Sequence, residues 1–176
     1  MLRQNFCFPL IFQSRWNTIK FIAIDQATTV SGLAFFEDNR LVKYNIVELK
    51  KSDDIDIRVE QMIKRLTNQI VENKPDCVVF EDVSLQTNVA TLILLARIQG
   101  ALIGACVTNN ISYEIYRPTF WRKCLSMKQG KGVKRPELKQ QAKDFVFDKY
   151  GLTLKEDMCD AICIGEAYIK ENHIGE

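Results

Sequence analysis

The sequence predicts an α/β fold: a mixed five-stranded sheet, its first three strands antiparallel, flanked by helices. Three observations predict it. Three strand-like runs follow one another with only short polar turns between them, which antiparallel pairing can accommodate and parallel pairing cannot. Helix-spaced and short apolar runs then alternate, as crossover connections require. The chain has 176 residues, 47% of them hydrophobic, enough for one domain with a full core.

The elements follow in order. Ile19 to Asp25 reads IKFIAID, β-branched and apolar, and the runs Val30 to Glu37 and Leu41 to Leu49 have the same strand-like composition. From Asp53 to Asn73, apolar residues fall at helical spacing (Ile55, Val59, Met62, Ile63, Leu66, Ile70), and Pro75 ends the pattern. Cys77 to Phe80 is a short continuous apolar run, the mark of a buried strand. Asn88 to Val107 is apolar on almost every side, a helix covered on more than one face. Ser112 to Tyr116 alternates as a fifth strand, a short helix holds Phe120 and Trp121, and Leu138 to Tyr150 and Lys155 to Lys170 close the fold as helices. Residues 18–172 form one domain on this reading. Residues 1–17 form a loosely ordered extension, since Pro9 interrupts the apolar run Phe6 to Phe12, which is too short to span a bilayer.

Composition narrows the chemistry. The only histidine is His173, which excludes a His-based zinc site, a Ser-His-Asp triad and a histidine general base in the body of the domain. Six scattered cysteines without a C-x-x-C pair read as reduced, core-filling thiols of a cytoplasmic protein. Catalysis is left to carboxylates, lysines, thiols or metals.

Four carboxylates stand out by position. Asp25 closes the first strand and Glu81 the fourth, each a charge at the end of a hydrophobic run. Asp157 and Asp160, three residues apart, share one face of a helix's first turn. Taken singly, each has an ordinary alternative: a turn residue, an acid favoured by a helix dipole, or a partner for a lysine. If the first and fourth strands are central neighbours with the last helix across them, the four converge. Like charges about 4 Å apart repel by roughly 4 kcal/mol at an effective dielectric of 20, so such a group needs cations or raised pKa values. Oxygen-only ligands favour Mg²⁺, with Mn²⁺ as a substitute, and two such ions roughly 4 Å apart suit phosphodiester hydrolysis.

The segments A-I-D-Q-A-T-T-V-S-G-L-A-F around Asp25, V-V-F-E-D-V around Glu81 and E-D-M-C-D-A-I-C-I-G around Asp157 and Asp160 resemble the three active-site blocks of the RuvC family of Holliday junction resolvases, and within it the smaller bacteriophage versions. The resemblance spans Ile19 to Lys170 and implies a ribonuclease H-like fold. It also implies catalytic, metal-binding roles for Asp25, Glu81, Asp157 and Asp160, and a Mg²⁺-dependent homodimer that nicks four-way DNA junctions in recombination or phage genome processing. Bacterial members usually carry Pro-Gly where this chain has Gln26 and Ala27, a change to the turn and not to the ligand. Many relatives carry an aromatic a few residues after the glutamate. Here that stretch is Ser84, Leu85 and Gln86, which widens the expected substrates to forks and flaps.

Arg117, Arg122, Lys123, Lys128, Lys131, Lys134, Arg135, Lys139 and Lys143 face one acid, Glu137, between positions 117 and 143, so this segment carries +8. The whole chain carries +2, leaving the remainder at −6. The segment, with Trp121 as a base-stacking or anchoring residue, is the expected DNA-binding surface, and Gly130 and Gly132 suit a loop that orders on phosphates. The helix from Asn88 to Val107 carries more apolar surface (Ala90, Leu92, Leu94, Leu95, Ile98, Ala101, Leu102, Ile103) than one sheet face covers, so a twofold dimer through it is expected, with no membrane contact. Two alternatives stand beside the branched-DNA nuclease: a ribonuclease H-like enzyme cutting RNA in RNA–DNA hybrids, and a non-catalytic binder of branched nucleic acid.

Overall fold

The computed structural model describes residues 18–51, 54–84 and 88–175. The expected extension at 1–17 lies outside them, as do Leu85 and Gln86. Ten elements follow one another: β1 (Lys20–Asp25), β2 (Val30–Glu37), β3 (Arg40–Glu48), α1 (Ile55–Asn73), β4 (Cys77–Glu81), α2 (Val89–Thr108), β5 (Ser112–Tyr116), α3 (Pro118–Cys124), α4 (Arg135–Tyr150) and α5 (Glu156–Glu171).

The strands form one sheet in the order β3-β2-β1-β4-β5. β1 pairs antiparallel with β2, which pairs antiparallel with β3, while β4 runs parallel to both β1 and β5. The expected meander and the central β1–β4 pair are both present.

Strand alternation sends successive side chains to opposite faces and so builds two cores. Ile22, Ile24, Leu33, Phe35, Val78 and Phe80 face α1 and α2, meeting Val59, Met62, Leu66, Ile70, Ile98 and Leu102. Phe21, Ala23, Ala34, Phe36, Cys77 and Val79 face the other way, toward Trp121, Ala142, Val146 and the buried face of α5. Phe21 and Phe36 stack on that side with ring centroids 4.8 Å apart.

α5 is the inner helix, with every residue from Cys159 to Tyr168 buried. Two glycines let it lie this close. A Cβ on Gly165 would stand 2.2 Å from the Phe36 ring, and one on Gly32 would stand 1.9 Å from the backbone oxygen of Asp157. Backbone therefore meets backbone where α5 begins.

Element ends differ from the sequence expectation in ways local chemistry explains. α1 starts at Ile55, because the Asp54 carboxylate accepts from the backbone N–H groups of Asp56 (2.9 Å) and Ile57 (3.3 Å) and so caps it. α4 starts at Arg135 and not at Leu138. Pro136 occupies the first turn, where its missing N–H costs nothing, and that turn is too polar to show an apolar period. Cys77, Cys106, Cys124, Cys159 and Cys163 are free thiols, and all but Cys124 are buried.

Candidate active site

Asp25 ends β1 and Glu81 ends β4. Because these strands are parallel neighbours with Ile24 opposite Phe80, the two acids leave the sheet side by side. Asp25 also stands opposite Gly32 on β2, the residue against which the Asp157 carbonyl packs. The first turns of α5 are thereby set over the ends of β1 and β4, and they carry Asp157 and Asp160.

The electrostatics describe one neighbourhood. Burial holds the Asp25 carboxyl well above the usual aspartate range, and Glu81, Asp160 and Asp157 push it further up while Lys139 opposes them. Glu81 is also raised, by burial first and Asp160 in addition, against a hydrogen bond from Trp121 and the charges of Arg122 and Lys139. Asp160 is raised by burial despite Lys139 and Arg122.

Lys139, reaching in from α4, bonds Asp160 through Nζ and Oδ2, both side chains largely buried. Its own burial would lower its pKa, but Asp160, Asp25 and Asp157 raise it on balance, so the ammonium stays charged. Arg122 Nη2 lies 4.0 Å from Glu81 Oε1.

Glu81 is held at both ends. Trp121 Nε1 donates to its Oε1 at 2.9 Å. Its backbone carbonyl accepts from Gln26 Nε2 at 2.5 Å and from Gln99 Nε2 at 2.8 Å.

The four acids meet as neighbours and do not form a closed cage. Among the described residues, no three carboxylate, thiol or imidazole groups enclose a point where one ion would sit. The donor chemistry nevertheless fits a hard divalent cation. It is oxygen only, three of its acids are held back from ionising, and added positive charge would relieve that penalty.

The basic segment divides in two. Lys123, Lys128, Lys131, Lys134 and Arg135 are exposed on and between α3 and α4. Arg117 is exposed too, 3.8 Å from Asp82. Lys139 and Arg122, expected on DNA, instead turn inward to the acids. Trp121 needs correction as well: it is wholly buried, so it is closed to base stacking and serves the anchoring role.

Sequence reasoning missed Gln26, Gln99 and Trp121 as supports of Glu81, and Lys139 as the partner of Asp160. One available signal was that a buried indole requires an acceptor, and few acceptors end a strand as Glu81 does. In α2, Ile98 and Leu102, two of the apolar residues named above, face the sheet and are buried. Val89, Ile93 and Val107 are exposed.

Comparison with known proteins converges on one group. The pattern of the crossover junction endodeoxyribonuclease RuvC family matches residues 21–165. The RuvC of Brachyspira hyodysenteriae is 24% identical over 157 residues, covering 87% of this chain and 95% of that protein. The RuvC of Geotalea uraniireducens is 27% identical over 154 residues, covering 83% and 85% respectively. Among solved structures, T. thermophilus RuvC in complex with Holliday junction substrate superposes with a TM-score of 0.71 at 16% identity, covering 89% of this chain and 97% of the other. The fowlpox virus resolvase, in complex with its substrate Holliday junction DNA, gives 0.60 at 16% identity, covering 88% and 99%. At these identities the structural likeness shows the fold, which is the mixed, ribonuclease H-like sheet.

Proposed function

This chain belongs to the crossover junction endodeoxyribonuclease RuvC family, and we propose from that premise that it nicks Holliday junctions and related branched DNA with Asp25, Glu81, Asp157 and Asp160. The observation that carries the reading is the meeting of partly buried Asp25 and Glu81 with buried Asp160, mutually repelling acids at the adjoining ends of β1 and β4 and the start of α5. Nucleases of this family are divalent-metal dependent, and the reading here is Mg²⁺, two ions per site, with Mn²⁺ able to replace it. When bound, such ions activate water and stabilise the leaving oxygen of a phosphodiester.

The chain's own residues prepare the site. The four carboxylates supply the oxygen ligands for a cation. Lys139 supplies positive charge beside Asp160 and lowers the repulsion among the acids. The exposed lysines and arginines from Arg117 to Arg135 grip the phosphates flanking the cut. α2, with Val89, Ile93 and Val107 exposed, joins two copies so that two sites can address opposite strands of one junction.

The test is a gel assay comparing four-way junction, fork, linear duplex and RNA–DNA hybrid, with Mg²⁺ or with chelator. Mg²⁺-dependent nicking of the branched substrates is expected, and Asp25→Asn or Glu81→Gln should abolish it while leaving junction binding largely intact. Cleavage of hybrid alone would move the chain to the RNA-cutting alternative. Binding without any cleavage would make it a structural binder.

A further inference from the structure

Glu81 differs from an ordinary strand-end acid in how its atoms are shared out. Oε1 accepts the Trp121 indole N–H at 2.9 Å and has the Arg122 guanidinium at 4.0 Å. The same guanidinium covers the Trp121 ring, 4.4 Å from its centroid. The backbone carbonyl of Glu81 is taken by the two glutamine amides. The strand end that carries the side chain is thereby pinned, and one carboxylate oxygen is committed to protein.

We propose that Trp121 is a positioning residue for the cation: by occupying Oε1 of Glu81 it turns Oε2 toward the metal, and its indole N–H reports whether the metal is bound. The proposal rests on the reading of Glu81 as a metal ligand and adds to it which oxygen ligates and what orients it. An indole suits the task because it is a neutral donor. Its N–H fixes one oxygen through a hydrogen bond without adding to the charge that Arg122 and Lys139 already place beside the acids.

The support for Trp121 is rigid. It is fully buried in α3, a helix of seven residues. α3 is fastened by a hydrogen bond from Gln129 Nε2 to the Thr119 carbonyl (2.8 Å) and one from Lys170 Nζ to the Cys124 carbonyl (2.8 Å). Fully enclosed, the indole has no open space to swing into.

The experiment uses the full chain and Mn²⁺ as probe, with affinity read by titration calorimetry and by the electron paramagnetic signal of free Mn²⁺. Trp121→Phe should weaken Mn²⁺ binding by roughly 10- to 100-fold, the range typical of lost outer-shell partners. Should that variant fold poorly, the wild-type protein gives the second measurement. The chain has two tryptophans, Trp16 and Trp121, so ¹⁵N-labelled protein shows two indole resonances, assigned with Trp16→Phe. On Mg²⁺ titration the Trp121 resonance should shift with the same saturation as metal binding, and Glu81→Gln should remove that shift.

Unchanged Mn²⁺ affinity in a folded Trp121→Phe protein, or an unmoved Trp121 resonance in metal-saturated wild type, overturns the positioning role and leaves the nuclease reading standing. Wild-type protein that neither binds Mn²⁺ nor cleaves DNA overturns both.

Discussion

At the scale of single residues, Asp25 carries a cost that the fold accepts. Its folded pKa lies above the ordinary value of 3.8 because burial and neighbouring acids disfavour its charge, so the ionised form destabilises the metal-free protein. That penalty is present wherever the pH lies above the raised folded value, begins to fall as the pH drops through it and Asp25 takes up a proton, and is gone below the ordinary value of 3.8. Asp25→Asn should therefore melt higher than wild type in chelator at pH 7, by roughly 2–4 °C for each kcal/mol of repulsion relieved. The two melting curves should draw together on acidification, and cleavage should be lost throughout. Equal melting temperatures at neutral pH would mean that Asp25 is already protonated there. Asp25 and Glu81 were legible in the sequence because charges that close hydrophobic runs are conspicuous, and Asp157 and Asp160 because they stand three apart at the start of a helix. Lys139 and Trp121 were not, since a lysine and an indole inside a basic stretch look alike whether they face DNA or turn inward, and only long-range packing decides.

At the scale of elements, the close approach of α5 to β2 sets the distance between the sheet's acids and the helix's acids. The obstacle to a side chain at Gly32 is the backbone oxygen of Asp157, which no rotamer change can remove. Gly32→Ala should lower stability by about 1–3 kcal/mol, the usual cost of overpacking. It should also reduce Mn²⁺ affinity, because the first turn of α5 must back away; a variant with unaltered melting and metal binding would show that the helix is not seated there. Helix α1 could be read from its period, with Val59, Met62, Leu66 and Ile70 buried, whereas strands β1, β2 and β4 could be read from continuous apolar runs, since the sheet is covered on both faces. The first turn of α4 could not, because Arg135, Pro136 and Glu137 leave it without apolar contacts, and only the N-terminal preference of proline marks it. Helix α2 was legible as apolar all round. Which of its residues the sheet would claim depended on the rotation of the helix, and the sheet claimed Ile98, Leu102 and Cys106.

At the scale of the whole molecule, charge is divided between a basic segment of +8 at positions 117–143 and an acidic remainder, within a total of +2. If the assembled protein neutralises about six to ten phosphates, junction affinity should fall roughly 10³- to 10⁵-fold between 50 and 200 mM salt, measured by fluorescence anisotropy. A flat response would remove these residues from the DNA surface. The second copy is tested separately. Ile93, 46% exposed on α2, should when changed to Glu convert a sedimenting dimer to monomer at micromolar concentration, and a wild-type monomer would reject the pairing. The inner position of α5 has a further effect, felt during synthesis. A ribosome adds about 5–20 residues per second, so all five strands are made before α5 is. Until that helix emerges, Phe21 and Phe36 lack their cover and two of the four acids do not yet exist. A nascent or prematurely terminated polypeptide thus exposes apolar surface and lacks half of the proposed acid set, and both are completed by the same segment.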